Sequence, residues 1–199
     1  MSWTIFIASM PELLVAALGT LKMTALAFIF AAILGLVLAI LRMSGGVAGR
    51  FAFGYIEVVR GTPALTLLFL IYFGLVPLGI VLQAFPAAVV ALGLNGAAYL
   101  AEIYRAGIQA VDRGQREAAQ MIGLRRREVM RYVILPQSLP AVLPPMGNYL
   151  VSLLKDTSIA SLISAPELML RSRDLAGTYH LPMEYYLLVA RCTWSWHGR

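Results

Sequence analysis

Three long runs without a charged residue constrain this chain more than any other feature of its sequence. They are Met23 to Leu41, Gly61 to Ala101 and Tyr132 to Leu154. Because a helix of about 20 residues crosses a hydrocarbon core of about 30 Å, the first and third runs each predict one crossing and the second predicts two. Only 13% of the 199 residues are charged, which excludes an ordinary soluble domain. The sequence predicts an all-α integral membrane protein.

The boundaries of the predicted spans follow these runs. Spans are predicted at residues 13–41, 62–82, 85–105 and 138–164, and a fifth begins near residue 184. A break between the second and third spans is predicted near Pro77, Gly79, Gln83 and Pro86. Since the connections are short, residues 1–199 are predicted to form one transmembrane domain without a separate soluble domain.

Arginine is concentrated in two connecting segments, residues 42–60 and 105–131, whereas residues 1–12 contain no basic residue. Lys and Arg collect on the cytoplasmic side of membrane proteins, so both segments are predicted to face the cytoplasm and the N-terminus to lie outside. The segment 166–183 is nearly balanced in charge and fits the outer side. The net charge of +6 is therefore interpreted as orientation in a bilayer, and nucleic acid is not an expected partner.

The only sizeable polar segment is the predicted cytoplasmic loop from about 106 to 136. Its residues Gln115 to Met121 are good helix formers, and Gly123 permits a sharp turn at their end. Residues Arg125 to Tyr132 predict a second short helix, which Pro136 is expected to stop. The loop is thus predicted to be two short helices around a glycine turn.

Apolar residues at this turn are expected to project beside small ones and to bind a groove on another protein; they are Met121, Ile122 and Leu124. The loop also resembles the EAA motif of permease subunits of binding-protein-dependent ABC importers. The matching residues are Glu117, Ala118, Ala119, Gly123, Leu135 and Pro136, and the motif's isoleucine position holds Val133. The spacing of several fixed residues makes this a specific signal.

The resemblance implies the fold of a type I ABC importer transmembrane domain, with about five spans and the fifth truncated. It also implies contact with an ATPase subunit for Glu117, Ala118, Ala119, Met121, Gly123 and Leu124. For Arg125 to Arg127 a simpler interpretation is favoured, in which the arginines hold the topology or contact anionic membrane lipid.

Three further segments resemble the polar amino-acid branch of these permeases, related to the histidine, glutamine and glutamate permeases. They are YIEVVRGTPALTLLF, AAYLAEIYRAGIQAVDRGQREAA and NYLVSLLKDTSIASLI, and the resemblance runs from about Gly19 to Ala190. It implies import of polar amino acids across the cytoplasmic (inner) membrane of a prokaryote. The implied partners are ABC ATPase subunits that bind ATP and Mg, a periplasmic or extracellular amino-acid-binding protein, and a second permease chain, identical or related.

The motif Arg60-Gly61-Thr62-Pro63 has a mechanical interpretation. Arg60 is expected to anchor at the cytoplasmic interface, Thr62 to cap the second span, and Pro63 to lie in its first turn. Glu102 and Arg105, three residues apart on one helical face, are likewise predicted to form a salt bridge that closes the third span. The small residues Gly96, Ala97, Ala98 and Ala101 predict a surface for close helix packing.

The motif Lys155-Asp156-Thr157-Ser158 is the candidate for the translocation pathway. Charges within an apolar span are costly unless they pair or face a wet cavity, so these residues are expected to line a polar path for an amino acid. The alternative is a break in span four where the two charges stabilise each other or a neighbour such as Glu102. Asn148 and Asn95 are weaker pathway candidates, because a single Asn within a span more often forms a hydrogen bond between helices.

The C-terminal end is atypical at residues 191–199. Only six apolar residues, Tyr185 to Ala190, continue the fifth span, too few to cross a bilayer. A truncated or frame-shifted end is expected, and an interfacial stub with Trp194 and Trp196 is the alternative. His180 and His197 are too distant in sequence to predict a metal site, and Cys192 is alone.

The leading hypothesis is therefore a transport subunit and not an enzyme. The chain has no phosphate-binding Gly-Lys-Ser/Thr loop, so ATP and Mg are expected on a partner and no cofactor on this chain. A secondary, ion-coupled transporter would favour an inverted internal repeat, which the sequence lacks, and an ABC permease for another small solute is a further alternative. A membrane enzyme is disfavoured because Ser138, Ser152 and Ser158 have no histidine in a neighbouring span.

Overall fold

A computed structural model describes residues 2–195, with side chains described for residues 9–191. All regular elements in that part of the chain are helical. The α-helices are α1 (Ser2–Ser44), α2 (Gly46–Gly61), α3 (Ala64–Tyr72), α4 (Ala84–Gln109), α5 (Arg113–Met121), α6 (Arg126–Glu128), α7 (Leu135–Asp156), α8 (Leu168–Tyr179) and α9 (Pro182–Ser195). Shorter 3₁₀ or π turns cover Val76–Leu78, Val129–Ile134 and Thr157–Ile163.

Two helices, Ser9–Ser44 within α1 and Ala84–Gln109, are long and apolar enough to cross a membrane. They confirm the first and third predicted spans as helices, although α1 with its 43 residues extends beyond the predicted 13–41. The uncharged run from Met23 to Leu41 alone rises about 28 Å, close to the thickness of the hydrocarbon core. These two helices pack along each other and form the centre of the bundle.

The second predicted span, 62–82, is wrong, because this segment is not one continuous helix. The segment 46–61, expected to be a connection, is the 16-residue helix α2, and α3 is a separate short helix bent by 105° from it. Pro63 causes the bend because it has no N–H and forces Thr62 into an extended conformation, with φ −98° and ψ 129°. The bent pair, Gly46–Gly61 with Ala64–Leu78, counts as a third span only if it crosses as one unit.

The break between the second and third predicted spans is confirmed. After α3 the chain forms the 3₁₀ turn Val76–Leu78, and Gly79 follows it with φ +78°. Only a residue without Cβ adopts this left-handed conformation readily. The chain then enters α4 at Ala84, after Gln83.

The prediction that Pro136 stops a second loop helix is wrong. The chain continues from α6 through the π turn Val129–Ile134 into α7, and Pro136 lies in the first turn of α7. A proline is tolerated there because the first-turn N–H groups of a helix need no intrahelical acceptor. The fourth predicted span, 138–164, is helical over nearly all its length, but it changes from α to 3₁₀ geometry at Thr157.

Small residues on α4 allow close packing, as predicted. Ala97, Ala98 and Ala101 are buried, and a Cβ on Gly96 would lie 2.8 Å from both the Ala31 Cβ and the Tyr149 hydroxyl. The backbones of α1 and α4 therefore approach each other closely here, and the Tyr149 side chain of α7 fits against Gly96.

The segment 166–183, expected to be a loop, contains α8, which the sequence pattern did not predict. Helices α8 and α9 pack on the first half of α1 through a shared core; its buried members are Leu13, Leu168, Leu175, Ala176 and Tyr185. The Leu168 N–H also donates to Thr20 Oγ1 at 3.0 Å, and Arg171 pairs with Glu12. We call this the α8 end of the bundle and the end that carries α5 the loop end.

The helix α9 begins at Pro182, close to the start predicted for the fifth span, and continues to Ser195. The interfacial role suggested for Trp194 and Trp196 concerns side chains outside the described residues.

Candidate coupling loop and central cavity

The helix α5 forms as its sequence predicts. Asp112 is its N-cap, and the Asp112 carboxylate accepts a hydrogen bond from the Gly114 N–H at 2.7 Å. After the helix ends at Met121, Gly123 has φ +88° and its N–H donates to the Gln120 carbonyl at 3.0 Å. The sharp glycine turn at the end of the helix is thereby confirmed.

The loop has a small apolar core of its own, formed by the buried residues Ile108, Ala119, Val129 and Ile134. The prediction that Leu124 projects from the turn is wrong, because Leu124 packs against this core. The turn bends the chain back at Gly123, which directs the next side chain inward. Met121 and Ile122 do project, with 89% and 79% of their surface exposed.

The loop is fixed to two long helices. Its core contains Ile108 from α4 and Ile134 from the turn that leads into α7. The Gln137 side-chain amide also donates to Gln115 Oε1 at 3.3 Å and so joins α7 to α5. The helix α5 is therefore attached on both sides, to α4 and to the start of α7. Leu135 and Pro136 lie at the start of α7 and are exposed.

A cavity of about 610 Å³ opens between the α2–α3 bend, α4 and α7. Its lining consists of Arg60, Gly61, Thr62, Pro63, Ala64, Asn95, Tyr99, Tyr149, Ser152 and Asp156. The motif Arg60 to Pro63, interpreted from the sequence as purely mechanical, thus forms one wall of it. The expected cap is also different: Thr62 Oγ1 donates to the Val58 carbonyl at 2.8 Å and closes α2, and Pro63 precedes the first turn of α3.

Two tyrosines and one arginine form a stack on the cavity wall. The rings of Tyr99 and Tyr149 are stacked with centroids 5.7 Å apart and planes at 19°. The guanidinium carbon of Arg60 lies 5.5 Å from the centroid of the Tyr99 ring, within the range of a cation–π interaction. The stack joins α2, α4 and α7 in one contact.

The residues of the Lys155 to Ser158 motif do not line one cavity, as a shared pathway would require. Asp156 lines the 610 Å³ cavity, whereas Lys155, Thr157 and Ser158 line a separate cavity of about 260 Å³ beside Glu167. The Thr157 and Ser158 hydroxyls donate to backbone carbonyls of the preceding turn, each at 2.7 Å. Successive residues on a helix project about 100° apart, which separates Lys155 from Asp156.

Of the predicted pathway residues, Asp156 and the weaker candidate Asn95 line the larger cavity. Asn148 is exposed on α7, and its carbonyl accepts a hydrogen bond from Ser152 Oγ at 3.2 Å. Tyr99, Tyr149 and Ser152 line the cavity without having been predicted as site residues. Asn95 lies four residues before Tyr99, and Ser152 lies three residues after Tyr149, so each helix has two polar groups on one face. This spacing is visible in the sequence and could have indicated the cavity lining.

The predicted ion pair between Glu102 and Arg105 is confirmed, with Oε2 and Nη2 2.8 Å apart. Glu102 also pairs with Arg42 at the end of α1. The alternative in which Lys155 or Asp156 pairs with Glu102 is therefore wrong, since the Glu102 carboxylate lies between two arginines instead.

Comparison with known proteins identifies the family and the fold. The family model described as "Binding-protein-dependent transport system inner membrane component" matches residues 31–193. A probable amino-acid ABC transporter permease protein, y4tG of Sinorhizobium fredii, is 42% identical over 175 residues, which cover 86% of this chain and 74% of the relative. The glutamine transport system permease protein GlnP of Escherichia coli is 35% identical over 192 residues, which cover 94% of this chain and 87% of that protein.

Solved structures share the fold. One chain, from a structure described as "Crystal structure of an amino acid ABC transporter with histidines", has a TM-score of 0.93 and 38% identity, and the match covers 98% of this chain and 92% of that one. A chain of the MetNI methionine ABC transporter has a TM-score of 0.73 at 20% identity, covering 92% and 89%, and supports the fold alone. The fold is that of a type I ABC importer transmembrane domain. The chain belongs to the binding-protein-dependent transport system inner membrane components and is a multi-pass permease subunit of an ABC importer, a transport subunit and not an enzyme.

Proposed function

We propose that this permease moves polar amino acids across the cytoplasmic membrane and that the cargo passes through the cavity between α2, α4 and α7. Relatives named for glutamine, arginine and cystine transport support the cargo class. The observation that carries the proposal is the presence of Arg60 and Asp156 in one cavity of about 610 Å³, a volume typical of small-molecule sites.

The lining of the cavity matches the charges of a free amino acid. At neutral pH every such molecule carries an α-carboxylate and an α-ammonium group, whatever its side chain adds. Arg60 offers a planar guanidinium that binds carboxylates with two parallel hydrogen bonds, and Asp156 offers an acceptor for the ammonium group. Neutral polar groups on Asn95 and Ser152 are left for a polar side chain.

The cavity wall described in this chain is formed by α2–α3, α4 and α7, and Asp156 and Ser152 on α7 are exposed at its rim. We propose that a second permease chain, identical or related, covers this rim and completes the pathway. If the N-terminus lies outside and the loop end in the cytoplasm, as the sequence predicts, the α8 end would face a binding protein that delivers the amino acid.

The loop supplies the proposed contact with an ATPase, a partner type that the family implies. Met121 and Ile122 project as an apolar tip from α5, and this tip would enter a groove on the ATPase. Glu117 and Ala118 are exposed beside it, Ala119 and Leu124 fix α5 from within, and Gly123 makes the turn. ATP and Mg²⁺ would bind to the ATPase, and no cofactor is proposed for this chain.

Competition for uptake tests the proposed cargo. The permease, reconstituted in liposomes with its ATPase and binding-protein partners, is given a labelled polar amino acid such as glutamine. Unlabelled glutamine should compete, whereas glutamine methyl ester, which lacks the carboxylate, and a neutral sugar should not. Equal competition by the sugar, or uptake of no amino acid by an assembled complex that hydrolyses ATP, would refute the cargo class.

A further inference from the structure

The carboxylate of Glu102 joins α4 to the end of α1 at the loop end. Its Oε1 atom pairs with Nη1 of Arg42 at the end of α1, and its Oε2 atom accepts from Nε and Nη2 of Arg105 at 3.1 and 2.8 Å. The guanidinium carbon of Arg42 lies 4.9 Å from the ring centroid of Phe53 on α2. Glu102 on α4 is therefore linked to the corner between α1 and α2.

This link is partly buried, and in it one negative charge is shared by two positive charges. The side chains of Arg42 and Glu102 are 19% and 17% exposed, so water screens their attraction less than it screens a surface pair. One carboxylate holds two guanidinium groups that would otherwise repel each other. Arg105 keeps a second partner, Gln109 Oε1 at 2.6 Å, whereas Arg42 has no other carboxylate partner among the ion pairs of the described residues. Loss of the Glu102 charge would thus leave both guanidinium groups without a carboxylate partner among the ion pairs in the part of the chain that the structure describes.

Glu102 lies between the loop and the cavity on one uninterrupted helix. Tyr99, one turn before it, stacks with Tyr149 and lies under Arg60. Ile108, six residues after it, belongs to the core of the loop. A displacement of α5 therefore reaches Tyr99 through α4 directly. Arg60 lies on α2, and it keeps its place over Tyr99 only if α2 moves together with α4.

We propose that Glu102 is a positioning residue for transport, which keeps the α1–α2 corner, and with it Arg60, in step with α4 when the ATPase displaces α5. The proposal rests on the proposed function, because it requires that the loop is driven by an ATPase. It goes further than the proposed function because it states that the Arg42–Glu102 ion pair transmits this movement to the cavity wall.

The test compares the number of amino acids transported per ATP hydrolysed. In Glu102→Gln the complex should assemble and hydrolyse ATP within about twofold of wild type, but transport per ATP should fall at least about tenfold. Arg42→Gln should give the same loss, and the double variant no further loss, because both changes remove one interaction. Glu102→Asp, which keeps the charge, should recover most of the ratio.

Glu12→Gln is the matched control, because it removes the Glu12–Arg171 ion pair at the α8 end and should leave the ratio unchanged. If the Glu102→Gln variant does not assemble with its partners, the Arg42→Gln variant alone provides the test, through the number of amino acids that it transports per ATP hydrolysed. An unchanged ratio in these variants, an equal loss in Glu12→Gln, or additive losses in the double variant would overturn the proposal. A wild-type complex without ATP-dependent uptake is a different failure, which removes the proposed function and this inference with it.

Discussion

The guanidinium group of Arg60 lies over the ring of Tyr99, with 5.5 Å between the guanidinium carbon and the ring centroid. The contact brings the end of α2 to the wall of the cavity and leaves the planar donors of Arg60 in the same lining as Asp156 and Asn95. An arginine that the sequence suggests as an interfacial anchor is thus part of the site.

Replacement of Arg60 by alanine should lower amino-acid uptake at least about tenfold without loss of the ATPase partner, because the cavity loses its carboxylate donor. Arg60→Lys should be intermediate, since lysine keeps the charge but cannot stack as a plane on Tyr99 or bind a carboxylate in bidentate fashion. Arg50→Ala, on an exposed position of α2, is the control. Uptake by Arg60→Ala equal to that of the control would exclude this role.

Asp156 and Lys155 should differ in their effect although they are neighbours. Asp156→Asn removes the charged acceptor for the ammonium group and should reduce initial uptake rates at least about tenfold. Lys155→Gln alters the separate cavity beside Glu167 and should reduce them less than about threefold. Uptake assays at saturating binding protein check both. A larger loss in the lysine variant would place the pathway in the other cavity.

Gly123→Ala should weaken attachment of the ATPase. The residue has φ +88°, and a Cβ at this position would meet no atom within 4 Å, so the cost is backbone strain of about 1–2 kcal/mol and not a clash. The matched control is Gly177→Ala in α8, which also has free space but no positive φ. Co-purification of the ATPase in detergent should fall for the first variant only. Equal recovery with both would show that the turn geometry is dispensable.

The thermal stability of the protein should fall as pH rises from about 5 to 7, because of Glu167. Burial raises the pKa of this carboxyl from its ordinary 4.5 to about 7, while hydrogen bonds from the Met169 and Leu170 N–H groups and the charge of Arg173 oppose the rise. In that range the folded protein retains a proton that the unfolded chain has released, so unfolding becomes more favourable with increasing pH.

Glu167→Gln keeps an oxygen to cap α8 but cannot ionise. Its Tm, measured in detergent by differential scanning fluorimetry, should depend less on pH between about 5 and 7 than the Tm of the wild type. Identical slopes in the two proteins would mean that Glu167 does not titrate in this range.

Local and one-dimensional signals predict a large part of this fold. The uncharged runs identify α1 and α4, the glycine at position 123 identifies a turn, and the spacing of Glu102 and Arg105 identifies an ion pair within one helix. Each of these depends on residues that are close in sequence, so composition and helical periodicity suffice.

The remaining features depend on distant contacts or on patterns that charged residues obscure. The buried face of α2, with Ala52, Ile56 and Val59, has helical spacing but is interrupted by charged residues that suggest a connection. The Arg42–Glu102 pair joins residues 60 positions apart, and no local pattern indicates it. Likewise, the α2–α3 bend brings Arg60 to Tyr99 only in the packed structure.

The measurement that tests the central claim most directly is uptake driven by ATP through the loop contact. Proteoliposomes containing the permease and its ATPase, with binding protein and labelled amino acid on the outside, should accumulate the amino acid only when ATP is enclosed. Met121→Asp with Ile122→Asp should abolish both ATPase binding and uptake without changing the Tm, because these exposed side chains have no role in packing. Leu124→Ala should instead lower the Tm. Uptake driven by an ion gradient in the absence of the ATPase, or wild-type uptake by the double aspartate variant, would contradict an ATP-driven importer coupled through this loop.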